Sequence, residues 1–148
     1  MIDPQTIDIR EILPQQPPFV MVERLTRVDE SSAVTETLIS SDNIFASEGY
    51  LSPLGLTENI AQTCAAKIGF INKYVYHKPI AIGVIGAIRN LTFEALPSVG
   101  ETVTTFIRAS EEVFGMTLVE AECRGNDNRL LCSATMKIAI RNNEEALS

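Results

Sequence analysis

The spacing of apolar residues divides the chain into one long helical segment and a set of strands. Between Gly49 and Tyr76 the apolar positions recur at intervals of three or four residues, which is the period of one helix face. These positions are Leu56, Ile60, Cys64, Ile68, Ile71 and Val75. Small residues fill other faces, so the segment predicts a helix that is hydrophobic nearly all round and therefore buried. Pro53 and Gly55 mark its start, and Glu58 is a carboxylate one turn inside it.

Most of the remaining chain predicts β-strands. Two strands are predicted before the helix, at residues 18–29 and 32–40, and four after it as a meander, at residues 80–93, 101–109, 115–125 and 129–141. The last two alternate apolar and polar positions, which is typical of half-buried antiparallel strands, and Gly-Asn-Asp-Asn at 125–128 predicts the turn between them. A short helix is predicted around Thr6 to Leu13, ended by Pro14.

This order of elements predicts an α+β hot-dog fold. A single apolar helix must be shielded from water, and the apolar face of an antiparallel sheet must be buried against another element. A curved antiparallel β-sheet wrapped around one long central α-helix satisfies both needs. The long strand at 80–93 carries Gly83 and Gly86, and we expect it to contact a second copy of the chain.

Composition narrows the class of protein. With 148 residues and 45% hydrophobic content, we expect residues 1–148 to form one domain. The net charge of −7 argues against a nucleic-acid partner, and the longest apolar run, 79–88, is about half of a membrane span. No secretion signal is recognisable at the N-terminus. Three cysteines without metal-ligand spacing predict reduced thiols and a cytoplasmic location.

Three stretches together resemble the 3-hydroxyacyl-acyl carrier protein dehydratases. They are ILPQQPPFVMVERL at 12–25, GYLSPLGLTENIAQT at 49–63 and IRNLTFEALPSVGE at 88–101. The second stretch contains a Glu-x-x-Ala-Gln run, here Glu58 to Gln62, at the junction of loop and helix. The likeness covers about residues 12 to 141 and is greatest to the divergent branch found in aryl-polyene and related polyketide pathways.

This resemblance implies a homodimer that acts on acyl thioesters of an acyl carrier protein or coenzyme A. In the family, a His of one protomer removes the α-proton of the substrate, and the helix Glu of the other helps the β-hydroxyl to leave as water. In the family, backbone N–H groups at the helix start polarise the thioester carbonyl. The resemblance also implies that no metal or other cofactor is needed. Carried over to this chain, the catalytic acid is Glu58, and the substrate-binding residues are Gln62, Pro53, Gly55 and Tyr50.

The chain departs from the family pattern at its histidines. The loop before the helix, residues 43–53, contains no His, and Gln15 occupies the place of the His that follows Leu-Pro in the family. Tyr50, Asn43 and Ser47 in that loop can form hydrogen bonds, but none of them is a good base at neutral pH. His77, the one histidine, is predicted roughly 28 Å along the helix from Glu58, at about 1.5 Å per residue. The usual mechanism therefore lacks its base.

Other candidate side chains are assigned simpler roles. Cys64 is predicted to be a buried core thiol, because no basic neighbour is visible that would make it a thiolate. Gln62 is expected to bond loop backbone near the pocket or to be purely structural. The basic residues near the helix exit either dock an acidic carrier or form a solvated surface. These are Lys67, Lys73, Lys78 and Arg89.

Three functions remain open from the sequence. The first is a dehydratase-like enzyme in fatty-acid-like or polyketide synthesis, with Glu58 as its acid and a base from another residue or a partner subunit. The second is a non-catalytic subunit that binds acyl chains or pairs with an active homologue. The third is a hot-dog thioesterase, in which the helix carboxylate activates water.

Overall fold

The computed structural model describes residues 2–79 and 82–141, without the side chains of 82, 111, 140 and 141. Within these ranges one long helix, α1 (Pro53–Phe70), lies against a six-stranded antiparallel sheet and continues into a π-type turn at Ile71–Val75. The strands are β1 (Arg24–Val28), β2 (Ser32–Leu38), β3 (Ala46–Ser47), β4 (Tyr50–Leu51), β5 (Ile82–Phe93), β6 (Thr102–Val113), β7 (Met116–Arg124) and β8 (Leu130–Arg141). The predicted α+β hot-dog class is confirmed. Residues 80 and 81 of the predicted strand 80–93 lie outside the described residues.

The strand order corrects the predicted meander. The order is β1-β2-β6-β7-β8-β5, so β5 pairs with β8 rather than with the next strand in sequence. Strand β6 instead pairs with β2, with Ala33 opposite Ile107 and Leu38 opposite Thr102. Because β2 occupies the side of β6 that β5 would need in a meander, β1 and β5 are the two edges of this six-stranded sheet. Strands β3 and β4 pair separately as a two-stranded sheet.

Alternating burial explains why these segments form strands. Along β2, the buried positions are Ala33, Thr35 and Thr37, and along β8 they include Cys132, Ala134, Met136 and Ile138. Period-two burial is what a sheet with one face against the helix requires. The predicted turn between β7 and β8 is confirmed as a single 3-10 turn, Asn126–Asn128.

The N-terminal segment differs most from its prediction. Instead of one helix over Thr6 to Leu13, it forms two single 3-10 turns, Pro4–Thr6 and Ile9–Glu11. The reason is local, because the Asp8 side chain accepts the N–H of Arg10 and starts a new turn there. The strand predicted from residue 18 begins only at Arg24, since helix side chains bond the backbone of Phe19 and Met21.

Two contacts fix α1 near its two ends. The Ser52 hydroxyl accepts the N–H of Gly55 at 3.2 Å, and Pro53 occupies the first turn, which fixes the predicted helix start. At Gly69 the helix touches the backbone of Ile12 so closely that a Cβ would overlap the Ile12 carbonyl oxygen. The described residues include no helix with the length and hydropathy of a membrane span.

Candidate functional site

A cavity of about 410 Å³ lies between α1 and the edge strand β5. The helix lines it with one face, since residues 58, 61, 65 and 68 follow each other at intervals of three or four. Ala61, Ala65 and Gly83 are small and leave the space open. The full lining is Pro14, Gln15, Glu58, Ala61, Cys64, Ala65, Ile68, Gly83, Val84, Ile85 and Ile138.

Glu58 is held at this cavity by Gln62. The carboxylate is half-buried, and its Oε2 accepts a hydrogen bond from Nε2 of Gln62 at 2.9 Å. Gln62 is fully buried and also donates to the Phe19 carbonyl at 2.8 Å, while its Oε1 accepts the N–H of Met21 at 2.6 Å. Both N–H donors and the oxygen of the Gln62 amide are therefore in use, and Glu58 receives one donor from the described residues.

Gln15 reaches the same cavity from the N-terminal segment. Its Oε1 is buried and has no hydrogen-bond partner in the described part of the chain. Ile12, three residues before it, packs against Gly69, and Phe19 and Met21 after it bond to Gln62. The backbone on both sides of Gln15 is thus fixed to α1.

The sheet-facing side of α1 carries a second polar group centred on Asn59. The Asn59 amide donates to the Met21 carbonyl at 2.7 Å and to the Thr37 hydroxyl at 3.2 Å, and its Oδ1 accepts from the Thr105 hydroxyl. Thr63 bonds the Thr35 hydroxyl across the same layer at 2.8 Å. These buried groups are satisfied by each other, so they fasten the helix to the sheet.

The other predicted site residues lie outside the cavity lining. Tyr50 is 54% exposed on β4, and Pro53 is exposed at the helix start. Gly55 is buried against Leu51 and Phe45. The structure therefore brings Glu58 and Gln62 together, adds Gln15, and leaves the residues at the helix start apart from them.

Cys64 and His77, two side chains considered as catalytic groups, are not suited to that role in the structure. Burial raises the pKa of the Cys64 thiol to about 12, so it stays protonated near neutral pH. His77 is exposed just beyond the helix and does not line the cavity. Among the described residues no three His, Cys, Asp or Glu side chains gather where they could hold a metal ion.

The basic residues near the helix exit have separate surroundings. Lys73 pairs with Glu11 at 3.5 Å, and Lys78 lies over the Tyr76 ring. Burial lowers the pKa of Lys67, which is half-buried, while Arg89 is exposed on β5. These four basic residues therefore have different contacts, although they were grouped together by their positions in the sequence.

Sequence reasoning missed two residues of this region. Gln15 was noted only as the replacement of a family histidine, although three nearby prolines already indicated a constrained segment. Asn59 was passed over, although Asn59 and Thr63 are polar residues four apart in an apolar helix. Polar residues at helical spacing on a buried face indicate a bonded network.

Comparison with known proteins agrees with this architecture. A search of curated proteins finds no match. A chain of "The Dehydratase Heterocomplex ApeI:P" from Xenorhabdus doucetiae matches with a TM-score of 0.84 and 16% identity, covering 95% of each chain. A hypothetical thioesterase with coenzyme A from Streptococcus pneumoniae matches at 0.65 and 10% identity, covering 80% of this chain and 84% of that one. The protein smu.793 from Streptococcus mutans, bound to acetyl CoA, matches at 0.62 and 8% identity, covering 80% and 87%.

At such low identities these structures establish the hot-dog fold alone. The family is shown independently by a family model, described as ApeP dehydratase, which matches residues 7–147. That range includes the three stretches on which the resemblance to a divergent dehydratase branch was based. The chain therefore belongs to the ApeP-like family of dehydratases.

Proposed function

We propose that this protein binds acyl thioesters of coenzyme A or an acyl carrier protein in the α1–β5 cavity and takes part in the dehydration of 3-hydroxyacyl chains. Glu58 is the acid in this proposal, and the pathway is fatty-acid-like or polyketide synthesis in the cytoplasm. The observation that carries the proposal is a carboxylate with spare hydrogen-bonding capacity at the wall of an otherwise mostly apolar cavity.

The cavity suits an acyl chain in size and chemistry. Its volume of about 410 Å³ is within the range of small-molecule sites. Ile68, Val84, Ile85 and Ile138 supply the apolar wall, and the polar groups Glu58 and Gln15 supply orientation. An acyl chain with one polar group near its thioester matches this distribution.

Dehydration needs an acid and a base. The base removes the C2 proton, the C3–O bond breaks as the acid protonates the departing hydroxyl, and an enoyl thioester and water result. Glu58 is positioned by Gln62 for the acid step. No histidine lines the described cavity, so we assign the base to a partner chain.

The edge strand β5 supports pairing with a partner. Among the described strands it bonds only to β8, and it exposes a run of apolar side chains. These are Val84, Ile85, Ile88, Leu91 and Phe93. An unpaired apolar edge is normally covered, and pairing there places a second chain beside the cavity. We propose a homodimer or a pair with another hot-dog protein.

The start of α1 is the proposed contact for the thioester end. Tyr50 and Pro53 are exposed there, and the first N–H groups of a helix favour a partial negative charge. In this assignment Tyr50 and Pro53 contact the thioester end of the substrate, whereas Gly55 is buried against Leu51 and Phe45 and only shapes the helix start. Gln62 acts through Glu58, because it is buried outside the lining.

The test is turnover of matched thioesters. The protein is incubated with 3-hydroxyacyl and saturated acyl thioesters, alone and with a partner hot-dog protein, and enoyl product and free thiol are measured. We expect enoyl product, and we expect Glu58→Gln to reduce its rate by at least about 100-fold, the usual minimum for a positioned acid. Glu112→Gln, the same change at an exposed carboxylate outside the lining, is the control.

Each alternative has its own outcome. Enoyl product only when the partner is added identifies a subunit that pairs with an active homologue. Free thiol without enoyl product identifies a thioesterase and contradicts the dehydration proposal. Dehydration that survives Glu58→Gln contradicts the role of Glu58.

A further inference from the structure

We propose that Gln15 is a specificity residue of the α1–β5 cavity, which selects acyl chains with a hydroxyl at C3 over saturated chains. This inference rests on the proposed function, because it requires an acyl thioester in that cavity. It adds a residue from the N-terminal segment to a site otherwise built by α1, β5 and β8.

Gln15 is fixed at the cavity by its neighbours in sequence. Leu13 is buried, and Ile12 lies against the backbone of α1 at Gly69. On the other side, Phe19 and Met21 are bonded through their backbones to the fully buried Gln62. A side chain on such a short, doubly anchored segment can contribute to binding at little entropic cost.

The Gln15 amide has hydrogen-bonding capacity that the protein does not use. Its Oε1 is the one buried side-chain oxygen or nitrogen without a partner among the described residues. A buried acceptor without a partner destabilises the state in which it is unpaired. The nearby Gln62, in contrast, forms three hydrogen bonds. A ligand that supplies a hydrogen-bond donor would give the Gln15 oxygen the partner that it lacks.

The chemistry of the cavity matches a hydroxyl. Glu58 accepts one bond from Gln62 and has a second oxygen available, and Gln15 adds an unpaired acceptor. The terminal torsion of a glutamine is soft, so the amide can also turn its N–H₂ group to the ligand. A hydroxyl donates one bond and accepts others, whereas a saturated chain or an enoyl product offers neither at C3 and leaves the amide unpaired.

The test compares the affinity of two amide analogues, 3-hydroxyoctanoyl- and octanoyl-pantetheine with N–H in place of the thioester sulfur. Their α-protons are less acidic, so binding is measured by calorimetry without turnover. We expect the wild-type protein to prefer the hydroxylated analogue by at least about 10-fold, the value of one good hydrogen bond. Gln15→Met keeps the length of the side chain but removes its polar atoms. It should reduce this preference about 5- to 10-fold, with unchanged or tighter binding of octanoyl-pantetheine amide.

Gln16→Met is the matched control, since Gln16 is the exposed neighbour outside the lining and its substitution should leave both affinities unchanged. An unaltered preference in Gln15→Met, or equal weakening of both analogues, overturns the role of Gln15. If neither analogue binds the wild-type protein, both this inference and the proposed function fail. A lost preference in Gln15→Met supports the inference even where Glu58→Gln retains turnover, so the two failures are distinguishable.

Discussion

Glu58 and Glu101 are two carboxylates that the fold treats in opposite ways. Glu101, 6% exposed, accepts the N–H groups of Ser98 and Asn126 and the guanidinium of Arg129, each at 3.0 Å. Glu58 receives one donor among the described residues, from Gln62, and faces a cavity. A carboxylate whose acceptor positions are filled by hydrogen bonds from the protein has a structural role. A carboxylate that lies at a cavity and has unused acceptor positions can act on a ligand.

The charge state of Glu101 follows from the same contacts. Burial raises the pKa of its carboxyl, but the N–H groups of Ser98 and Asn126 and the charge of Arg129 outweigh burial and hold the pKa below its ordinary value of 4.5. Glu101 is therefore kept ionised as a clamp between the β5–β6 turn and the β7–β8 turn.

The amides repeat this contrast. Asn59 is surrounded by Met21, Thr37 and Thr105, which use its donor and acceptor atoms. Gln15 has a buried oxygen that no described group meets. Of these four residues, Glu101 and Asn59 have their hydrogen bonds supplied within the chain, whereas Glu58 and Gln15 keep unused capacity and line the same cavity.

The largest effect on stability is expected when Glu101 is replaced, because its carboxylate accepts several hydrogen bonds from the protein. Glu101→Ala leaves two backbone N–H groups and Arg129 without their acceptor, so it should lower the free energy of unfolding by about 3 kcal/mol. Glu58→Ala should lower it by less than about 1 kcal/mol, because one hydrogen bond is lost at a half-buried position. Urea denaturation of both variants measures the difference. Equal losses would contradict the contrast between the two carboxylates.

A smaller effect is expected from the buried amide. Asn59→Leu should lower the free energy of unfolding by about 2 kcal/mol, since the Thr105 hydroxyl and Met21 carbonyl lose their partner. Adding Thr105→Val should cost little more, because it removes one of the groups left unpaired. A double-mutant cycle in urea gives the coupling energy. Strictly additive losses would show that Asn59 does not join the helix to the sheet through Thr105.

The smallest effect is the pH dependence that Glu101 contributes. Its pKa is depressed in the folded protein, so its ionisation adds stability that is fully present above the unfolded value of about 4.5 and is lost as the pH falls through the folded value. The difference in unfolding free energy between wild type and Glu101→Gln should therefore shrink as the pH is lowered below about 4.5. Denaturation at a series of pH values measures it, and a gap that widens on acidification would reverse the assigned sign.

The sequence alone determined the elements with a local period. The spacing from Leu56 to Ile68 predicted α1, and Pro53 with Gly55 located its start, because a helix face and its first turn depend on residues a few positions apart. The alternation in β7 and β8 predicted two half-buried strands for the same reason. These elements, with the three stretches of family resemblance, were enough for the hot-dog class and the dehydratase family.

Only the tertiary structure decided which polar residues share a site. The bond from Gln62 to Met21 joins residues 41 apart, and the one from Thr105 to Asn59 joins residues 46 apart, distances at which no periodicity gives a signal. Contacts between distant residues also decide the pairing of β5 with β8, the position of Gln15 and the opposite surroundings of Glu58 and Glu101. A side chain's chemistry depends on burial and on donors brought from distant segments, so identical glutamates in one sequence acquire different roles once the chain is folded.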